Sequence, residues 1–133
     1  MAIYVTDTHP LVWFARGQRS KLSARVLRLF RDAEQGRALI YVPAVVLWEI
    51  SILLKLSRVR LLQPFTQWAE LLLAKQGFEL APLDPQVMGE AMQFSFNDDP
   101  FDAVITATAV LKDLPLITSD REIVAAKIVE IVW

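Results

Sequence analysis

The stretch FNDDPFDAVITATA, residues 96–109, places the densest group of acidic side chains in the chain at the start of an almost uncharged helical segment. Asp99 followed by Pro100 is typical of a helix start, with the aspartate as N-cap. Asp102, three residues later, fits the second position of a capping box. Clustered carboxylates are also ligands for a hard cation. Helix capping and a cation site therefore both fit this stretch, and acids elsewhere must decide between them.

Short apolar runs alternate with helical segments along the whole chain. The pattern predicts strands at 3–6, 39–42, 78–83, 115–118 and 128–133, and helices beginning near 7–10 and covering 23–35, 43–56, 61–77, 84–94, 99–113 and 119–127. This order, β-α-α-β-α-α-β-α-α-β-α-β, predicts an α/β fold with a mostly parallel central sheet of four to five strands flanked by helices. At 133 residues, we expect one domain spanning 1–133.

Composition narrows the function classes. The chain has no cysteine, which excludes disulfides and thiolate metal sites, and a net charge of −1, which argues against a general polyanion binder. No signal peptide or membrane span is visible, so we expect a cytoplasmic protein with no membrane partner. Hydrophobic residues make up 54% of the chain and include four tryptophans. That excess predicts an exposed apolar patch that contacts a second copy or a partner protein.

Positive charge is concentrated in two segments. The first holds Arg16, Arg19, Lys21, Arg25, Arg28 and Arg31, and the second holds Lys55, Arg58 and Arg60. These groups fit either a solvated helix face or the rim of a nucleic-acid site.

Four acids from separate segments are expected at one edge of the predicted sheet. Asp7 follows the first strand directly, and Asp120 lies two residues after the fourth. Glu49 lies in the helix that leaves the second strand, and Asp102 lies in the first turn of the helix leading to the fourth. Right-handed crossovers bring helix starts and strand carboxyl ends to the same edge, where sites form in open α/β sheets.

Each acid also has a simpler interpretation. Asp99 is interpreted as a helix N-cap, and Asp98 as a solvated surface residue. Asp120 fits the start of the last helix, where Ser119 and Glu122 match a capping box. Glu49, between Trp48 and Ile50, would need a partner if buried.

Repulsion among the four acids points to a cation. Two like charges about 4 Å apart cost about 4 kcal/mol at an effective dielectric near 20. All-oxygen ligands favour Mg²⁺ or Mn²⁺ over zinc, and such ions clamp phosphate oxygens. No Gly-rich phosphate loop is present. The residues therefore predict a metal-dependent phosphoryl-transfer site and leave RNA, DNA and small phosphate esters open.

At these residues the chain resembles the PIN-domain ribonucleases, and among them the VapC toxins of bacterial toxin–antitoxin pairs. DTHPLVWFA (7–15) is similar to the family's opening Asp-Thr-His-x-Leu-x-Trp. PAVVLWEISILLKLSRVRL (43–61) resembles its Trp-Glu-Ile helix and trailing basic segment, DDPFDAVITATA (98–109) its Asp-Pro-Phe-Asp helix, and LPLITSDREI (114–123) its Leu-x-Thr-x-Asp strand end. Each motif alone is weak, but four in the right order and spacing are strong.

The resemblance implies a single PIN-like domain whose acidic quartet holds Mg²⁺ or Mn²⁺. The quartet consists of Asp7, Glu49, Asp102 and Asp120. Asp99 would be an accessory acid or cap, and Thr118 would orient the last acid. The family hydrolyses RNA phosphodiesters, often in tRNA or rRNA, forms homodimers, and is neutralised by a cognate antitoxin of the VapB kind.

Several positions depart from the family pattern or extend it. Ala103 stands where the subgroup usually has Arg, and Asn97-Asp98 replaces a commonly basic or His-containing lead-in, so both remove positive charge beside the quartet. Thr6 and Ser57 replace an aliphatic residue and a glycine. Arg121, next to Asp120, and Arg16 are candidates for contacts with substrate phosphates. His9 is interpreted as a hydrogen-bonded helix-start residue, and Trp13, Trp48 and Trp68 as core or interface.

The alternative function is a non-catalytic, metal-binding α/β regulatory or protein-interaction module, either a degenerate PIN domain or a receiver-like domain. A receiver would need adjacent acids after the first strand and a Lys after the strand at 115–118. Thr8 follows Asp7, and no Lys follows that strand at once. The intact quartet argues against a degenerate PIN scaffold.

Overall fold

The computed structural model describes all residues, 1–133, and confirms the predicted order of elements. The strands are β1 (Ala2–Thr6), β2 (Ala38–Pro43), β3 (Phe78–Ala81), β4 (Leu116–Ile117) and β5 (Ile131–Val132). The helices are α1 (Thr8–Ala15), α2 (Ala24–Glu34), α3 (Ala44–Lys55), α4 (Phe65–Ala74), α5 (Pro85–Ala91), α6 (Pro100–Lys112) and α7 (Arg121–Ala126), with a 3₁₀ turn at Arg19–Lys21. The fold is a single α/β domain with five parallel strands and seven flanking α-helices.

The five strands form one sheet in the order β3-β2-β1-β4-β5, with every neighbouring pair parallel. The chain moves from β1 outward through β2 and β3, then returns to the other side of β1 to form β4 and β5. The strand order therefore reverses between β1 and β4. In open parallel sheets, a crevice opens at such a switch point beyond the carboxyl ends of the strands.

The core is built where the sheet is covered by helices. β2 is apolar along its length, and Ile40 and Val42 on one face are fully buried, while Leu39 and Tyr41 on the other face are partly buried. Phe30 of α2 stacks on Phe14 at a ring-centroid distance of 4.9 Å and lies 6.4 Å from Phe78 of β3. These contacts fix the first half of the sheet under α1 and α2.

One predicted boundary is wrong for an informative reason. The helix predicted to end at Gly77 ends at Ala74 instead. Gly77 has no left-handed backbone; a Cβ there would lie 1.8 Å from the carbonyl oxygen of Ala33. Glycine is required at this position because the backbone before β3 passes directly against α2. Gly36, which directly follows the C-cap of α2, adopts a left-handed φ of +74°.

Several large apolar side chains are exposed on the surface. Exposure reaches 61% for Trp48, 81% for Leu62 and 86% for Met92. Trp68 is buried in the core, and Trp13 is half-buried. None of the helices combines the length and the apolar character needed to cross a membrane.

Candidate active site

Asp7 lies at the carboxyl end of β1, in the crevice formed by the reversal of strand order. It is the N-cap of α1, and its Oδ1 accepts a 2.7 Å hydrogen bond from the backbone N–H of Thr8. Its residue exposure is only 7%. A nearly buried carboxylate at this position needs polar partners on its second oxygen.

Thr118 supplies that partner and connects Asp7 to Asp120. The Thr118 hydroxyl donates to Asp7 Oδ2 at 2.7 Å and accepts from the backbone N–H of Asp120 at 3.0 Å. The parallel register of Thr6 with Ile117 places these two strand ends side by side. Asp120 Oδ1 in turn caps α7, accepting from Glu122 N at 3.0 Å and Ile123 N at 3.1 Å. The predicted capping box of Ser119 and Glu122 is therefore wrong, because Asp120 is the cap.

Glu49 reaches the same edge from α3. It is half-buried, and the Thr8 hydroxyl donates to its Oε1. This bond gives Glu49 the partner that its apolar neighbours required, and it ties the start of α1 to the middle of α3. Thr8 thus holds Asp7 through its backbone N–H and Glu49 through its side-chain hydroxyl.

The acids of the 96–109 stretch divide into a cap and a site residue. Asp99 is the N-cap of α6, and its Oδ1 accepts from Phe101 N at 2.9 Å and from Asp102 N at 3.4 Å. The sequence predicts that Asp102 completes a capping box with Asp99, and this prediction is wrong. The Asp99 N–H instead donates to Asn97 Oδ1 at 3.0 Å, and Asn97 Nδ2 donates to Asp102 Oδ2 at 2.8 Å. Asn97 therefore accepts the reciprocal bond from the Asp99 N–H in place of Asp102, and it also holds the Asp102 carboxylate.

Three of the quartet acids have raised pKa values. Burial is the main cause for each, and it raises the pKa of Asp102 to about 7. The pKa of Glu49 is raised by its own desolvation and then by the charges of Asp7 and Asp99, against the Thr8 hydrogen bond. Burial also raises the pKa of Asp7, and the charge of Asp120 adds to it. Asp7 therefore lies within electrostatic reach of each of the other three acids.

The quartet fits a divalent cation in its donor chemistry. None of the four acids forms a salt bridge, since the chain's two salt bridges are Arg37–Asp32 and Lys75–Glu34. Hard oxygen donors without a protein counter-ion are suited to Mg²⁺ or Mn²⁺. In their present rotamers, no three Asp, Glu or His side chains form a ready-made ligand group. Asp7, Glu49 and Asp102 each accept a hydrogen bond from a threonine or asparagine side chain.

A cleft of about 100 Å³ opens directly over two of the acids. It is lined by Asp7, His9, Pro10, Trp13, Ser119 and Asp120. His9 lies in the first turn of α1, as predicted, but its exposed ring makes no hydrogen bond and packs 5.8 Å from the Trp13 ring. Arg121 is exposed at the start of α7, and Arg16 lines an adjoining cleft. A larger cavity of about 270 Å³, between α1, α2 and α4, contains none of the quartet.

Sequence reasoning did not identify two of the residues that organise the site. Thr8 and Asn97 hold Glu49 and Asp102, respectively. Their signals were present: Thr8 directly follows the acid at a strand end, and Asn97 lies two residues before a helix cap. Neither signal states which acid the side chain reaches, because that depends on how α1, α3 and α6 pack together.

An acid-lined crevice at the switch point of a five-stranded parallel sheet defines the class: an α/β domain with a polar site at the carboxyl edge. The chain belongs to the PIN-domain family, whose model matches residues 4–129. This confirms the resemblance seen in the sequence motifs. PIN domains are in general nucleases.

Solved structures with the same fold include several toxin–antitoxin proteins. One is VapBC2 from Rickettsia felis, which was solved bound to a DNA fragment from its promoter. Its TM-score is 0.68 at 13% sequence identity, and the match covers 98% of this chain and 97% of that one. DNA-bound VapBC from Salmonella typhimurium gives 0.67 at 16% identity, covering 99% and 98%. FitAcB from Neisseria gonorrhoeae gives 0.63 at 19% identity, covering 98% and 96%. No curated protein sequence gives a significant match.

Proposed function

We propose that this PIN domain is a VapC-type toxin: a metal-dependent endoribonuclease that hydrolyses RNA phosphodiester bonds. The observation that carries the proposal is the convergence of four carboxylates from four separate elements on one edge of the sheet, three of them with raised pKa values and none of them in a salt bridge. If these acids had a purely structural role, helix capping would account for all of them. Capping accounts for Asp99 fully, but it leaves Glu49 and Asp102 unexplained.

Asp7, Glu49, Asp102 and Asp120 would hold Mg²⁺ or Mn²⁺. The bound cation would supply charge stabilisation to the phosphoryl oxygens in an in-line displacement by water. The chain's own residues do the positioning. Thr118 keeps Asp7 and Asp120 at a fixed separation through one hydroxyl, and Asp99 sets the direction of the first turn that carries Asp102.

The partners proposed for the chain follow the same family assignment. The VapBC neighbours are toxin–antitoxin complexes, which supports a cognate VapB-like antitoxin as the inhibitor. The exposed apolar side chains, Trp48 among them, support a homodimer. The substrate would be tRNA or rRNA, and the place of action the cytoplasm, where these RNAs are found.

The test is RNA cleavage by the purified chain, free of antitoxin, with total tRNA and ribosomal RNA as substrates. The wild-type chain should cleave with Mg²⁺ or Mn²⁺ and not with a chelator. Asp102→Asn, which preserves shape and removes the charge, should lower the rate by at least about 100-fold. Asp84→Asn is the matched control, because Asp84 is an N-cap of α5 outside the quartet and asparagine caps helices as well as aspartate does.

Two outcomes would contradict the proposal. Full cleavage by Asp102→Asn would remove the quartet from the mechanism. Cation binding by a wild-type chain that cleaves none of these RNAs would favour the non-catalytic metal-binding module.

A further inference from the structure

A second cleft adjoins the acidic one and differs from it in charge. It has a volume of about 250 Å³, and its lining includes His9, Trp13, Arg16, Lys21 and Arg58. His9 and Trp13 line both clefts. The two therefore share a wall, and a chain-like ligand that leaves the acidic cleft past Trp13 enters the basic one.

The cations of this cleft come from both basic segments of the sequence. Arg16 is the C-cap of α1, Lys21 lies in the 3₁₀ turn, and Arg58 follows α3. All three are exposed, none forms a salt bridge, and no acidic side chain lines the cleft. Three unpaired positive charges around one concavity attract an anion with several negative groups.

The backbone fixes the two arginines in place. After α1, Gly17 N donates to Phe14 O at 3.1 Å and Gln18 N to Trp13 O at 2.8 Å. After α3, Ser57 N donates to Leu54 O at 3.0 Å and Arg58 N to Leu53 O at 2.9 Å. Both pairs form Schellman motifs, with left-handed φ values of +71° at Gly17 and +57° at Ser57. The backbones that carry Arg16 and Arg58 therefore end two helices in defined positions.

Trp13 forms an aromatic wall between the clefts. Its ring is half-buried, contacts Trp133 edge-on at 6.3 Å, and has the Lys21 ammonium 5.7 Å from its centroid. The indole is held on one side by a second tryptophan, and the exposed Lys21 side chain lies over its ring. A nucleobase that displaces this lysine can stack on the same ring face.

We propose that this basic cleft binds the single-stranded RNA segment adjacent to the phosphate held in the acidic cleft. Arg16 and Arg58 contact backbone phosphates, and Trp13 stacks a base. The inference rests on the proposed ribonuclease function and names the path of its substrate. A double helix is excluded from the proposal, because stacking on Trp13 needs an unpaired base.

Not all basic residues of the first basic segment line the basic cleft. Arg25 and Arg28 are exposed on α2, and neither lines this cleft or the acidic one. They carry the same charge, lie in the same sequence cluster and form no salt bridge. The pair is therefore a matched control for the removal of two arginines.

The experiment measures RNA binding in an Asp102→Asn background, so that cleavage does not deplete the probe. The probe is a short fluorescein-labelled single-stranded oligouridylate, and fluorescence anisotropy gives Kd across a salt series. Arg16→Ser combined with Arg58→Ser should weaken binding roughly tenfold or more and reduce the slope of log K against log salt by about 1.4, for two lost phosphate contacts. Arg25→Ser combined with Arg28→Ser should change neither quantity to that extent.

The base-stacking part has its own readout. Trp13→Leu should weaken binding roughly tenfold with little change in the salt slope, because it removes stacking and no charge. Trp13→Phe retains an aromatic ring and should recover part of the affinity. It also serves as the informative variant if the leucine chain does not fold.

The result that would overturn the inference is equal binding by the cleft and control variants, whether both are normal or both are weakened alike. Loss of antitoxin binding with unchanged RNA binding would also overturn it and would assign the cleft to an acidic protein segment. Cleavage by the same variants in an otherwise wild-type chain separates the two proposals. A wild-type chain that binds RNA through the cleft but does not cleave it contradicts the ribonuclease function alone.

Discussion

At the scale of single residues, one hydroxyl organises half of the acidic site. Thr118 is fully buried, donates to Asp7 and accepts from the Asp120 backbone. Thr118→Val has nearly the same shape but leaves a buried carboxylate oxygen and a backbone N–H without this partner. We expect a loss of about 1–3 kcal/mol in the free energy of unfolding, measured by urea denaturation. RNA cleavage should fall as well, and Thr118→Ser should restore both.

Thr106 offers a matched control for that substitution. It is also buried, but its Oγ1 has no hydrogen-bond partner. Thr106→Val should be neutral or stabilising, because it replaces an unsatisfied hydroxyl with a methyl group. Equal losses in the two valine variants would show that Thr118 contributes through packing rather than through its two hydrogen bonds.

The pKa of Asp102 leads to a pH-dependent prediction. Its ordinary value is 3.8, and burial raises it to about 7 in the folded chain. Between these values the folded chain binds more protons than the unfolded chain, so this contribution to stability is present at low pH and is lost as pH rises towards 7. In metal-free buffer, Asp102→Asn should therefore gain stability relative to wild type as the pH rises. Melting temperatures of both proteins between about pH 5 and pH 8 measure this difference.

The difference in melting temperature between wild type and Asp102→Asn measures how much the Asp102 charge destabilises the metal-free fold. An Asn variant that is clearly less stable than wild type near pH 8, without metal, would mean that the Asp102 charge stabilises the fold. That outcome would favour a purely structural role. Asp113→Asn is the surface control, because Asp113 is exposed at the end of α6 in a left-handed conformation that asparagine also adopts.

The position of Asp7 and Asp120 at one edge of the sheet could be predicted from the sequence, but the hydrogen-bond partners of the acids could not. Asp7 and Asp120 follow strands, and parallel strands end at one edge, so their meeting follows from topology. The bond between Asn97 and Asp102 depends on the path of the loop before α6. Capping rules assigned that role to Asp102 itself, since the rules describe average helices and contain no information on a competing side chain.

At the scale of elements, the contact between α2 and the turn before β3 depends on Gly77. A Cβ at this position would overlap the backbone carbonyl of Ala33, which no side-chain rotation relieves. Gly77→Ala should force α2 away from β3 and cost roughly 3 kcal/mol of unfolding free energy. Urea denaturation measures the loss.

Gly89 makes the comparison specific to that contact. It lies within α5, and a Cβ there would meet nothing within 4 Å. Gly89→Ala should stabilise the chain by about 0.5–1 kcal/mol, because alanine loses less backbone entropy in a helix. Similar small effects at both glycines would mean that α2 can shift without cost.

Element order was readable from the sequence, whereas strand length and order in the sheet were not. Short apolar runs identified all five strands, but β4 and β5 each pair over only two residues. Their remaining apolar residues lie outside the ladder, and periodicity does not distinguish paired from unpaired extended chain. The position of β1 between β2 and β4 depends on long-range packing. That position creates the switch point, so the crevice itself was the least predictable feature.

At the scale of the whole molecule, the charge distribution separates into an acidic and a basic cleft that a net charge of −1 conceals. Arg16 and Arg58 are 42 positions apart in sequence and line one cavity in the fold. The sequence identified two basic segments but could not choose between a solvated face and a nucleic-acid rim. The fold separates them: some cations face a cleft beside the acids, while others, such as Arg25, do not line it.

Cation binding in the acidic cleft can be measured without any RNA, through its effect on the melting temperature. An ion that binds only the folded chain stabilises it by RT ln(1 + [L]/Kd), about 2.7 kcal/mol at a hundredfold excess over Kd, or roughly 10 °C in melting temperature. Mn²⁺ or Mg²⁺ should give this shift with wild type and Asp84→Asn, and little with Asp102→Asn. Protons compete for the same carboxylates, so the shift should shrink as pH falls below about 7, the pKa of Asp102. An equal shift in all three proteins would place the ion outside the quartet, and a shift independent of pH would mean that Asp102 is not among its ligands.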